Sequence, residues 1–184
     1  MKNFAPLAFA ALLPLTACGG GSHHHAMADK APPPFICPQV DVLLQAQTLT
    51  LFLPGREDVA ARVSTAQMTG VSGACVLEKK KHAVLVTVNT SFLADNGPAN
   101  NGAPLILPWF AAIADGDHIV TKSNYTEKLT FEGNSSTASA TAKPVKIELP
   151  DVAYTANIQI LAGFQESPDQ LAYAASHPDA TPGN

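Results

Sequence analysis

The chain has 184 residues, of which 46% are hydrophobic, and this is enough for one ordinary domain with a real core plus extensions. Eleven Lys+Arg stand against fifteen Asp+Glu, a formal net charge of -4, and no basic block is long enough to follow a phosphate backbone. That balance argues against nucleic acid as a partner.

The chain opens with Met1-Lys2, then the mostly apolar "FAPLAFAALLPL", then Leu15-Thr16-Ala17-Cys18. A positive start, a short apolar stretch and small residues form the order of a secretory signal peptide. The stretch is too short, and too interrupted by Pro6 and Pro14, for a permanent membrane helix of roughly 20 residues. The four residues "LTAC" resemble the lipobox of bacterial lipoproteins. That resemblance implies removal of residues 1–17 and acylation of Cys18, with Leu15, Thr16 and Ala17 as recognition residues. It further implies a protein held to a membrane by its acyl chains, in the bacterial cell envelope, facing the periplasm or the cell surface. Each buried methylene would contribute about 0.8 kcal/mol to that anchorage.

Residues 18–36 then read as a tether, "CGGGSHHHAMADKAPPPFI", which would let a domain sit roughly 20 to 25 Å from its anchor. His23, His24 and His25 are candidate metal ligands. Consecutive residues on a flexible chain do not converge on one ion without further ligands, so the tract reads as a solvated spacer or a short cloning tag. With Cys18 carrying lipid, Cys37 and Cys75 remain as an even pair. In an oxidising envelope they are expected to form a disulfide, against the alternative of two buried thiols. Closing that loop contributes about 4 kcal/mol on the chain-entropy model.

The folded domain is expected over residues 37–176. In "QVDVLLQAQTLTLFLP", Leu49, Leu51 and Leu53 alternate with Thr48, Thr50 and Phe52 as in a strand, and Pro54-Gly55 breaks it. "EDVAARVSTAQMTG" is ambiguous between helix and strand and is read as a short turn followed by a strand. "GACVLE" and "HAVLVTVNTSFLA" flank Lys79-Lys80-Lys81 as a hairpin, with the lysines as a solvated tip or as a contact for anionic lipid headgroups. The second of these strands is rich in β-branched residues and should be central. "DNGPANNGAP" is a long turn leading into "LILPWFAAIAD", where Trp109 should lie in the core, and Asp115-Gly116-Asp117 turns the chain into "HIVTKSNY". "TEKLTFE" and "VKIELP" follow on either side of the low-complexity "GNSSTASATAKP". The last strand lies in "AYTANIQILAGFQ", with Ile158, Ile160 and Ala162 on one face. Ser167-Pro168-Asp169-Gln170 then caps a short helix, "PDQLAYAAS", and residues 177–184 should fray.

About eight short strands and one terminal helix predict an antiparallel β-sandwich of immunoglobulin-like architecture. The Cys…Trp…Cys order of a true immunoglobulin domain is missing, because both cysteines of the pair precede Trp109. The mature domain resembles proteobacterial envelope lipoproteins, on "CPQV", "GAC", "GP" and "LPWFAAIAD".

Chemistry is sparse. Gly70-Val71-Ser72-Gly73-Ala74 approaches the G-x-S-x-G elbow of hydrolases, yet that elbow needs a helix after the serine and "CVLEKKKHAVLVTV" is strand-like. His82, His118 and His177 lie in separate turns, and one could act as base only within hydrogen-bond reach of Ser72. No metal or cofactor motif occurs, so no catalytic residue and no cofactor is assigned. The reading is a non-catalytic binding or assembly module with an envelope protein as partner, acting through polar loops. A small-ligand or lipid carrier with an interior cavity of roughly 300 Å³ or more is the first alternative, and a hydrolase using Ser72 the second.

Overall fold

The computed structural model describes residues 36–150 and 157–183. Cys18 and the histidine tract His23 to His25 lie outside these residues. Nine strands form: β1 (Gln39–Val42), β2 (Thr48–Phe52), β3 (Arg62–Glu78), β4 (Ala83–Asp95), β5 (Leu105–Asp115), β6 (His118–Leu129), β7 (Thr137–Thr141), β8 (Val145–Leu149) and β9 (Ile158–Phe164). Among the described residues one α-helix, α1 (Pro168–Ser176), follows the last strand.

The strands make two sheets, in the orders β1-β9-β5-β6 and β2-β3-β4-β7, with β8 also paired to β4. All pairings are antiparallel except β1 with β9, which is parallel. The architecture is the mainly β sandwich with a C-terminal helix that the strand pattern predicts, with that one parallel edge added. The β3–β4 hairpin, the central place of β4, the β5–β6 hairpin and the buried Trp109 all match the sequence reading.

The core follows from side-chain parity. Along β4, Val84, Val86, Val88, Thr90, Phe92 and Ala94 are all buried, because successive side chains point to opposite faces. β3 begins in the same way with Ser64, Ala66 and Met68 inward, but its register against β4 slips between Met68 and Gly70. This bulge at Thr69 moves the inward set from even to odd positions, so Val71, Cys75 and Leu77 now pack against the core. The shift turns Cys75 towards the other sheet, where its Sγ is bonded to Cys37 just before β1, with the Cα atoms 5.7 Å apart. The disulfide therefore staples one sheet to the other. Gly73 lies beside it because a Cβ there would meet Val40 Cγ2 at 2.3 Å, so β1 can approach β3 only across a glycine.

Between the sheets Trp109, Phe92 and Phe164 pack ring to ring, with centroids 5.7 Å apart for Phe92–Trp109 and 5.8 Å for Phe92–Phe164. Tyr125 packs against Trp109 from β6, with centroids 4.7 Å apart and planes tilted by 32°. Pro108 accepts a hydrogen bond from the Gln165 backbone N–H at 2.9 Å but has no N–H to return. The β5–β9 ladder accordingly ends at Trp109 opposite Phe164.

β7 and β8 run in line along one side of β4, separated by Ala142 to Pro144. β7 sits inside the stretch read as a low-complexity connection. Its Ala138 and the following Ala142 are buried, so an Ala/Ser/Thr alternation too small to register as hydrophobic still supplies a core face. "HIVTKSNY" and "TEKL" form one continuous strand, β6, rather than two, and β3 is a single strand of 17 residues.

Candidate binding cleft beside the C-terminal helix

The helix forms for local reasons. The Ser167 backbone N–H donates to Gln170 Oε1 at 2.8 Å, the Gln170 N–H donates to Ser167 Oγ at 3.2 Å, and Pro168 occupies the first turn. This reciprocal cap satisfies two backbone donors that the helix itself cannot. No residue of α1 is fully buried. The helix lies on the outer face of the β2 edge, anchored by Tyr173, whose ring meets Phe52 edge-on with centroids 5.0 Å apart. His177 stacks on Tyr173, at 4.1 Å between centroids and 14° between planes. Its Nδ1 lies 3.0 Å from both Ser176 Oγ and the Tyr173 carbonyl, which fixes the ring.

Laying a helix across a sheet edge leaves a hollow on each side. One, of about 680 Å³, is walled by Phe52, Pro54, Glu57, Asp169, Gln170 and Tyr173. Another, of about 650 Å³, lies on the opposite flank between Leu171, Ala175 and the segment Leu44 to Thr48. The first carries the charged lining, with Arg56, Glu57 and Asp169. Arg56 closes its rim by a two-pronged contact with Asp58, Nε to Oδ2 and Nη2 to Oδ1, each at 2.8 Å. That contact raises the Arg56 pKa and lowers that of Asp58, chiefly through the shared hydrogen bonds. The Arg62 guanidinium, in a smaller adjoining hollow, is committed to the buried Asp95 at 3.1 Å. Both cations near the hollow are thus neutralised. Glu57 and Asp169 make no ion pair or side-chain hydrogen bond among the described residues.

The other sequence candidates are not brought together. Ser72 stands in the middle of β3 opposite Asn89, exposed on the outer face, with strand on both sides and no turn or helix after it. His82 sits in the β3–β4 turn beyond Glu78, which is itself six positions and about 20 Å along the strand from Ser72. His118 starts β6 and His177 ends α1. The lysine run is divided: Lys81 binds Glu148 at 2.8 Å and Glu78 at 3.0 Å, and these contacts raise its pKa, Glu148 foremost. Only Lys79 and Lys80 remain for an anionic surface. Among the described residues no group of three metal-ligating side chains converges. The exposed edge of β6 carries Lys122, whose Nζ lies 4.0 Å above the Phe110 ring, and a lysine on an edge discourages strand addition.

The long turn between β4 and β5 is internally built rather than loose. Asn100 is buried, and its Nδ2 donates to Asn96 Oδ1 at 2.8 Å and to the Ala103 carbonyl at 2.9 Å. Sequence reasoning placed contacts in such loops and missed the cleft altogether. The cleft needs the outer side of β2 and α1 side by side, and no local pattern announces that contact. The one available signal was Phe52, a large ring on the face otherwise held by threonines. Comparisons with protein-family models, curated proteins and solved structures give no match.

Proposed function

We propose that this protein is a lipid-anchored component of the bacterial cell envelope that works by binding. Its Cys18 carries the acyl chains, and the sandwich presents the cleft beside α1 to an envelope protein. The carrying observation is the separation of its groups. Ser72, His82 and His118 lie on different parts of the sandwich, whereas catalysis needs nucleophile, base and charge stabiliser in one concave site. The hollow beside α1 is lined instead by aromatic and polar side chains suited to recognition.

The test uses full-length protein in intact cells, with membrane fractionation and crosslinked partner capture. Cys18→Ser should release the protein from membranes and stop cleavage before residue 18. Leu53→Trp, which fills the hollow from the β2 side without touching the helix cap, should abolish capture, while Ser72→Ala, His82→Ala and His118→Ala should leave it intact. The reading is overturned if one of those alanine variants, still folded, loses the envelope phenotype while Leu53→Trp is silent.

A further inference from the structure

We infer that the cleft between α1 and the β2 turn receives a cationic side chain, a lysine or arginine presented by an envelope protein. This inference rests on the binding-module reading and specifies its chemistry. Three observations meet at the site. The hollow holds about 680 Å³, room for several residues of an extended segment rather than a single ion. The one cation of its lining, Arg56, is balanced by Asp58, which leaves the charges of Glu57 and Asp169 in excess. Glu57 and Asp169 face the same space from the two opposing walls, the β2 turn and the first turn of α1.

The aromatic floor gives the complementary half. Phe52 and Tyr173 line the same hollow as the carboxylates and offer apolar ring surface there. A lysine or arginine carries a methylene stem ending in a charged head, so the stem can lie on the rings while the head reaches the acids. An anionic ligand would meet two carboxylates, and a purely apolar one would strip water from them without return. The α1 wall is also fixed beforehand, because the reciprocal cap holds the helix start, so less order has to be created on binding.

The experiment is calorimetric titration of the full-length chain in neutral detergent with acetyl-Ala-Lys-Ala-Lys-Ala-amide. The same peptide with norleucine for lysine and the free polyamine spermidine run beside it. The lysine peptide should bind, weaken as salt rises, and lose about tenfold or more in affinity with the Glu57→Gln, Asp169→Asn double variant. Both positions are exposed, so that variant should keep the wild-type unfolding midpoint. The norleucine peptide should not bind, and spermidine, lacking the peptide backbone, should bind more weakly than the lysine peptide. Equal binding of the norleucine peptide, or unchanged affinity in the double variant, would overturn the cationic assignment. Spermidine binding tighter than the lysine peptide would overturn the protein side chain as its source. Crosslinked capture separates the two claims: a partner retained by the double variant leaves the module standing without this site, and no partner captured by wild type removes the module itself.

Discussion

Glu166 sits two residues beyond Phe164, on the parity that sends Ile158, Ile160, Ala162 and Phe164 into the core, and it is buried. Neither carboxylate oxygen has a hydrogen-bond partner among the described residues. Burial without compensation disfavours the charged form and pushes its pKa from 4.5 up to about 7. The folded state therefore holds a proton that the unfolded chain releases between those values, and linkage makes stability fall as pH rises through that window. Urea unfolding should show a loss of about 2 to 3 kcal/mol between roughly pH 5 and pH 8. Glu166→Gln should flatten the slope and be the more stable protein at the alkaline end. An identical slope in the variant would show that other groups carry it. In sequence this residue passes as one more polar position before a helix cap; only the continued strand parity hints that it points inward.

At the scale of elements, the β4–β5 turn shows how a glycine can decide a structure. A Cβ on Gly97 would lie 2.5 Å from the Arg62 carbonyl oxygen and 2.6 Å from that of Val63, both backbone atoms that cannot swing away. The same closeness lets the Gly97 N–H donate to Val63 at 2.9 Å and the Ala99 N–H to Arg62 at 3.0 Å. The contact places the turn over the start of β3, where Asp95 accepts from the Thr65 N–H and pairs with Arg62. Gly97→Ala should therefore cost about 2 to 3 kcal/mol, above the range of an ordinary surface change, whereas Gly102→Asn, which keeps a positive φ accessible, should cost under about 1 kcal/mol. Thermal melts of the two variants compare them directly, and equal losses would refute the steric argument. Legibility follows the same division. β4, β5, β9 and α1 announce themselves because their alternation or cap is local. β7 escapes notice because alanine and serine carry little hydrophobic contrast. The even-to-odd slip in β3 blurs its pattern at the bulge, and the parallel pairing of β1 with β9 joins segments far apart in sequence. The cleft is of this last kind, since each of its walls is ordinary alone.

For the whole molecule the disulfide is the constraint that turns two sheets into one unit on the β1 side. β1 has only a four-residue parallel ladder to β9, from Gln39 opposite Gln159 to Val42 opposite Ala162, and it lies at an edge. Parallel pairing is slightly weaker per residue than antiparallel, and so short a ladder cannot hold against fraying alone. The Cys37–Cys75 bond, spanning 38 positions, fastens the free end of that strand to β3, while the Leu43 N–H donating to Ala162 at 2.8 Å fastens the other. Closing this loop removes conformations from the unfolded chain worth about 4 kcal/mol, a large share of a typical domain's 5 to 15 kcal/mol. The Cys37→Ser, Cys75→Ser double variant should thus unfold at markedly lower urea by about that amount. It should also lose β1 first, because the entropic loss is global but the lost tether is local. Limited proteolysis below the unfolding midpoint should then cut the double variant between β1 and β2 while the β4–β5 core stays intact. Simultaneous cleavage throughout would instead mean that β1 is held by the sandwich itself, and that the bond acts only on the unfolded chain.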